Sequence, residues 1–245
     1  MTPLELNEKI EKQLEEFESI VETPFNEEIE EKMHFVKDGI LNIEKYLAAK
    51  PKILYVLKEA NSADNSLTDM RECLNSLEGD NDNIAPNWGK TWNKIVYATY
   101  GIFENMSYEE MPGINGNAKE VLKHIPSIAQ INLKKYAGGS VADAREINEF
   151  YQKYKLTIHE QLKLIDPDII ICCGSYNFID ENELEKDFGV KTEINNDSYP
   201  KYFKTYYYGN KFIIETYHPN ARVKNSTYIN SLIDCVRGSL KIDNQ

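Results

Sequence analysis

Short apolar runs that stop abruptly at polar residues alternate along this chain with stripes of helical spacing. Four runs stand out: Ile53–Leu57, 128–132, Ile169–Cys173 and Lys211–Thr216. Each has the length and side-chain content of a buried strand. Strands that alternate with helices imply a three-layer α/β domain around a central, mainly parallel, four-stranded sheet. Such a sheet places its ligands just beyond the carboxyl ends of its strands. The residues that follow each run therefore carry the functional reading.

Between the runs, helices are expected over 3–21, 26–48, 66–78, 90–103, 118–123, 143–165, 177–186 and 226–240. Leu6, Ile10, Leu14, Phe17 and Val21 form one stripe; Ile29, Met33, Val36, Ile40, Ile43 and Leu47 form the next. With Thr23-Pro24 between them, residues 1–49 read as an N-terminal helical hairpin packed outside the sheet. Asp143 suits an N-cap. Gly209-Asn210, between runs at 202–208 and Lys211–Thr216, signals a β-hairpin. No internal repeat or low-complexity tract interrupts residues 1–245, which read as one domain.

A chain of 245 residues with 41% hydrophobic and 28% charged residues fits a globular α/β domain. No apolar run reaches membrane-spanning length, and the N-terminus is acidic rather than basic-then-apolar. Cytoplasmic residence without a membrane partner is expected. The cysteines, Cys73, Cys172, Cys173 and Cys235, form no C-x-x-C pair and read as reduced, buried thiols. The net charge of −12 opposes nucleic-acid binding in general, because duplex affinity is mostly phosphate neutralisation. It is unevenly placed: residues 1–32 hold 11 Glu against 3 Lys, whereas residues 191–237 hold 7 basic and 4 acidic residues.

The strand exits carry a constellation. Lys58-Glu59-Ala60-Asn61 follows the first run, Asn132-Leu133-Lys134-Lys135 ends the second, Gly174-Ser175 follows the third, and His218-Pro219-Asn220 follows the fourth, with Arg222 behind it. A carboxylate can orient water, an amide can read a donor–acceptor edge, and an imidazole can stabilise a developing anion. Pro219 restricts His218 to extended geometry. Each residue also has a plainer role: Glu59 as a solvated loop acid, Asn132 as a turn cap, His218 bonded within its own loop.

This order of motifs resembles the uracil-DNA glycosylase superfamily over roughly residues 50–240. The nearest branch has a Gly-Glu-Ala-Pro-Gly first motif, an Asn-x-x-Lys second motif and a His-Pro-Ser third motif. The resemblance implies a four-stranded parallel sheet flanked by helices and a base flipped into a pocket at the strand ends. It assigns water positioning to Glu59, base reading to Asn132 and stabilisation of the departing base to His218. Asn61, Asn220 and Trp88 then line the substrate, and Lys134 and Arg222 face nucleic acid. The chain departs from the pattern at Lys58 for Gly, Asn61 for Pro and Asn220 for Ser. Tyr136 stands where a cluster-binding cysteine would, so no iron–sulfur centre is expected. Arg222-Val223 is a modest substitute for the apolar wedge that enters the DNA stack.

Trp88 can stack on a base or close a core edge. Tyr206, Tyr207 and Tyr208 read as a strand. Gly89-Lys90-Thr91 lacks the first glycine of a phosphate loop, and no His spacing suits a metal, so neither metal nor organic cofactor is expected. Three functions remain open: hydrolysis of an N-glycosidic bond at a deaminated or modified base in DNA, a non-catalytic module binding a nucleobase, nucleotide or protein, and a hydrolase of a nucleoside-like small molecule.

Overall fold

The computed structural model describes residues 1–27, 30–62, 65–85, 89–139, 141–194 and 203–242. Helix α1 (Pro3–Ile20) opens with a capping box, in which Thr2 accepts from the Glu5 N–H and Glu5 from the Thr2 N–H. The chain then runs extended, through two short strands, β1 (Phe25–Asn26) and β2 (Glu31–Lys32), to β3 (Gly39–Ile40). Helix α2 (Ile43–Ala48) is capped by Asn42, whose Oδ1 accepts from the Lys45 N–H at 3.0 Å. Next come β4 (Ile53–Leu57), α3 (Met70–Asn75), α4 (Gly89–Glu104), α5 (Ala118–Leu122) and β5 (Ala129–Asn132). Helix α6 (Ala144–Ile165), β6 (Ile169–Cys173), α7 (Glu181–Phe188), β7 (Lys191–Ile194), β8 (Lys204–Tyr208), β9 (Lys211–Thr216) and α8 (Asn225–Ile242) complete the chain.

The α/β expectation holds, with a wider sheet. Among the described residues it has seven strands in the order β3-β5-β4-β6-β9-β8-β7. The four expected strands lie side by side and parallel, as β5-β4-β6-β9. Antiparallel β3 extends one edge, and β8 and β7 extend the other. Side chains alternate between two cores. Ile53, Tyr55 and Leu57 pack with α4, α5 and α8 on one face, while Leu54 and Val56 pack with α1, α6 and α7 on the other. Both faces of the parallel strands are thus covered.

The helical hairpin expected over 1–49 is half correct. The α1 stripe buries Leu6, Ile10, Leu14 and Phe17, and Phe17 meets Phe35, Phe150 and Tyr154. The second helix is confined to α2. Met33, Val36 and Ile40 are buried from an extended chain that crosses the sheet edge, and Leu47 is exposed. Gly39 lies at φ 137, outside helical space, and Asp38 is wholly buried, as no amphipathic stripe would have it.

Asp38 organises that edge. Its Oδ1 accepts from Lys135 Nζ at 2.6 Å and Gln161 Nε2 at 2.9 Å, and its Oδ2 accepts from the Asn132 N–H at 2.7 Å. Lys135 Nζ also donates to Gln161 Oε1 at 2.8 Å. The extended N-terminal segment, β5 and α6 therefore share one network out of water. Removing one partner of a buried, hydrogen-bonded pair strands the other charge. Asp38→Ala is predicted to cost about 3–5 kcal/mol of unfolding free energy in urea. Adding Lys135→Met should recover part of that loss, because the stranded ammonium is then gone.

Candidate functional site

The parallel strands bring their carboxyl ends to one edge of the sheet. Leu57 and Asn132 are register partners, and the chain beyond them stays paired: the Leu133 N–H donates to the Leu57 carbonyl at 3.0 Å and the Lys134 N–H to the Lys58 carbonyl at 2.9 Å. A cleft of about 960 Å³ opens there. Glu59, Asn132 and His218 line it together, with Asn61 and Asn220. Trp88 lies outside the described residues.

His218 is held by its own loop and by its neighbour. Its Nδ1 accepts the Asn220 N–H at 3.1 Å. A backbone N–H can only donate, so Nδ1 is the acceptor and the proton of a neutral ring sits on Nε2. Burial, with Lys58 and Lys94 adding repulsion, lowers the imidazole pKa from its ordinary 6.5. The ring is therefore a neutral N–H donor near pH 7. Gly174, at φ 70, turns the chain after β6 against the His218 backbone, and a Cβ there would sit 3.0 Å from the His218 backbone nitrogen.

Asn132 is 2% exposed, and its Nδ2 has no hydrogen-bond partner among the described residues. Its backbone N–H is fixed by Asp38, so the side chain is presented from a rigid strand end. An unpaired buried amide costs free energy unless something pairs with it.

Glu59 is not a free loop acid. Its side chain is 5% exposed and paired with Lys134, which also reaches Glu146 at 3.0 Å and lies over the Tyr136 ring. Burial raises the Glu59 carboxyl pKa against the pull of Lys134. Gly138 packs on the carboxylate so closely that any Cβ there would collide with it. The Gly138 N–H donates to the Ala60 carbonyl at 2.8 Å, closing the strap. Lys134, expected to face nucleic acid, is instead buried and engaged by two carboxylates. Arg222 is exposed, whereas Val223 packs on the core and cannot serve as a wedge.

Sequence reasoning missed several lining residues. Asp69, Glu72 and Cys73 come from α3 and the turn before it, and Thr91 and Trp92 from the first turns of α4. Asp69 is neutralised by Arg71, which bridges to Glu11. The Gly138-Gly139 pair behind the second motif was a usable sign of close approach. Cys172, Cys173 and Cys235 are buried free thiols, but Cys73 is partly exposed at the cleft. Among the described residues no group of three or more His, Cys, Asp or Glu is arranged to hold a metal ion, and no helix is long and apolar enough to cross a membrane. No protein-family model matches the chain, and no curated protein or solved structure matches it either.

Two outcomes follow from this geometry. Gly174→Ala should cost about 1–2 kcal/mol from the left-handed backbone alone and move the His218 ring, read by urea unfolding and by the ring-proton shifts of His218. Acidification should weaken the fold through His218. Its folded pKa lies below the ordinary 6.5, so the unfolded chain takes up the proton first. The neutral ring's contribution is complete above that value and is lost as pH falls through the folded pKa. The loss of stability between neutral pH and mild acid should be smaller in His218→Asn than in the unmodified protein.

Proposed function

We propose that the cleft binds a nucleobase and that the chain hydrolyses an N-glycosidic bond, as its motifs' resemblance to the uracil-DNA glycosylase superfamily implies. The observation that carries this reading is the meeting of two donors on one cleft: the buried Asn132 amide, unpaired among the described residues, and the Nε2–H of a neutral His218. A base edge offers a carbonyl oxygen and ring nitrogens that match them. As the glycosidic bond breaks, its electron pair passes to the base, and charge grows on the base oxygen. A neutral N–H donor already aimed at that oxygen stabilises the charge without reorganising. Water completes the reaction at the sugar carbon. Glu59 orients that water through the edge of its carboxylate that reaches the cleft, with Lys134 holding the group in place.

A second reading concerns the size of the substrate. Lys134 is withdrawn into an ion pair, Asp69 and Glu72 line the cleft, and the chain carries −12. These features weaken a polyanion track and favour a free nucleoside-like substrate over DNA.

The test is a panel of single- and double-stranded oligonucleotides carrying uracil, hypoxanthine or xanthine, run beside the corresponding free nucleosides, with released base as the readout. The proposed reading expects base release from at least one arm, and the arm identifies the substrate class. His218→Ala should lower kcat on the order of a hundred- to a thousandfold. Asn132→Ala should change which base is accepted, because a lost amide contact discriminates poorly between edges. No base release in any arm would favour a binding module.

A further inference from the structure

Lys94 stands behind the His218 loop. It belongs to α4, yet its ammonium donates to the carbonyls of Ala221 and Val223, each at 3.0 Å, on the loop that follows β9. It also lies over the Tyr228 ring, 5.0 Å from its centroid. The residue is 5% exposed. Among the described residues its partners are carbonyls and a ring, with no carboxylate among them. A buried lysine in a chain of 40 acidic residues without one as a partner is unusual, since buried charges are normally paired. Burial accordingly lowers its pKa. The other three buried or half-buried lysines near the site each have an acid or another role: Lys134 has Glu59, Lys135 has Asp38, and Lys58 lines the cleft itself.

We propose that Lys94 is a positioning residue for His218: it clasps the loop from behind and gives that wall of the cleft a buried, unneutralised positive charge that favours an anion in front of the imidazole. The clasp follows from the two carbonyls, which lie three and five residues past His218 in the chain. Holding both fixes the bend that lets the Asn220 N–H meet Nδ1, and thereby the tautomer. The charge acts through space. Of the charged groups near the ring, Lys58 approaches from the β4 exit and Lys94 from α4. Glu59 shares the cleft but is paired with Lys134, Asp69 is paired with Arg71, and Glu72 lines the cleft from α3, leaving Lys58 and Lys94 as the charges that act on the ring. The wall around His218 is therefore positive, while the imidazole itself stays neutral. Such a wall opposes a proton on the ring and attracts negative charge on whatever the ring touches. The effect on a departing base rests on the glycosidic reading above; the effect on His218 does not.

The two are separated by measuring them separately. The His218 ring protons, assigned by their absence in His218→Ala, are titrated by NMR in the unmodified protein and in Lys94→Met, Lys94→Gln and Lys94→Arg. Removing the charge should raise the His218 pKa by on the order of 0.5 in both the Met and Gln variants, and Lys94→Arg should return it most of the way. Amide exchange over residues 220–223 should quicken in Lys94→Met. Lys94→Gln keeps an N–H donor for the loop without the charge, so it carries the reading should Lys94→Met not fold. On any substrate that the unmodified protein cleaves, Lys94→Met should lower kcat at least tenfold with KM changed no more than about twofold, as expected of a group acting on the transition state. A His218 titration unchanged in a folded Lys94→Met or Lys94→Gln variant overturns the proposal. Should the unmodified protein cleave nothing, the glycosidic reading falls, and the titration still decides the role of Lys94.

Discussion

The buried ion pair of Lys135 and Asp38 is the constraint from which the rest of the site edge follows. Neither side chain reaches water, and such a pair persists only where every remaining donor and acceptor is met. Gln161 meets them from α6, and the Asn132 N–H meets them from β5. Three segments far apart in sequence are thereby locked in one register. The extended course of residues 33–41 is a consequence: Asp38 must reach inward, and no helix over that segment would allow it. The rigidity of Asn132 is another. An amide that is to recognise a ligand edge gains from a fixed strand end, because little conformational freedom is lost when the ligand arrives.

The two walls of the cleft have opposite electrostatic character. On the Glu59 wall, charge is cancelled locally: Lys134 sits between Glu59 and Glu146, and Gly138 seals the carboxylate from above. Glu59 therefore holds its geometry and presents only an edge. On the His218 wall, burial first, and then the repulsion of Lys58 and Lys94, keep the ring neutral. A neutral donor surrounded by positive potential suits a ligand that gains negative charge during reaction. An imidazolium would instead bind a pre-existing anion and lose part of its advantage in the transition state.

Much of this was legible in the chain. The four apolar runs match strands buried on both faces, so the four parallel strands and their exits could be read directly. The Gly209-Asn210 turn and the Asp143 cap were equally local, with Asp143 accepting from the Arg145 and Glu146 N–H groups. Residues 26–48 were illegible for a physical reason. Apolar side chains spaced three and four apart satisfy a helix and also an extended strand threading between layers, and only the buried Asp38 and the turn at Gly39 separate the two. Strand β7 was illegible because it is an edge, half exposed, with pairing to β8 in place of an apolar run. Lys134 read as a residue facing nucleic acid, yet it and its neighbour Lys135 are each buried against their own acid. Pairing across the fold is invisible in a linear sequence.

Glycine shows why motif and fold have to be read together here. The close backbone approach to Glu59 and to His218 is made by glycines of neighbouring exits. Gly138 makes it on the far side of Glu59, and Gly174 makes it beneath His218. The Glu59 carboxylate and the His218 backbone thus each meet a residue with no side chain, contributed by a neighbouring strand exit. Freedom from a side chain at these two positions lets the β5 and β6 loops touch the groups borne by the β4 and β9 loops. The four exits then form one interlocked surface. Each of the two groups is thus held by backbone from a neighbouring exit, with its order set by packing beneath the site as much as by the side chains that face it.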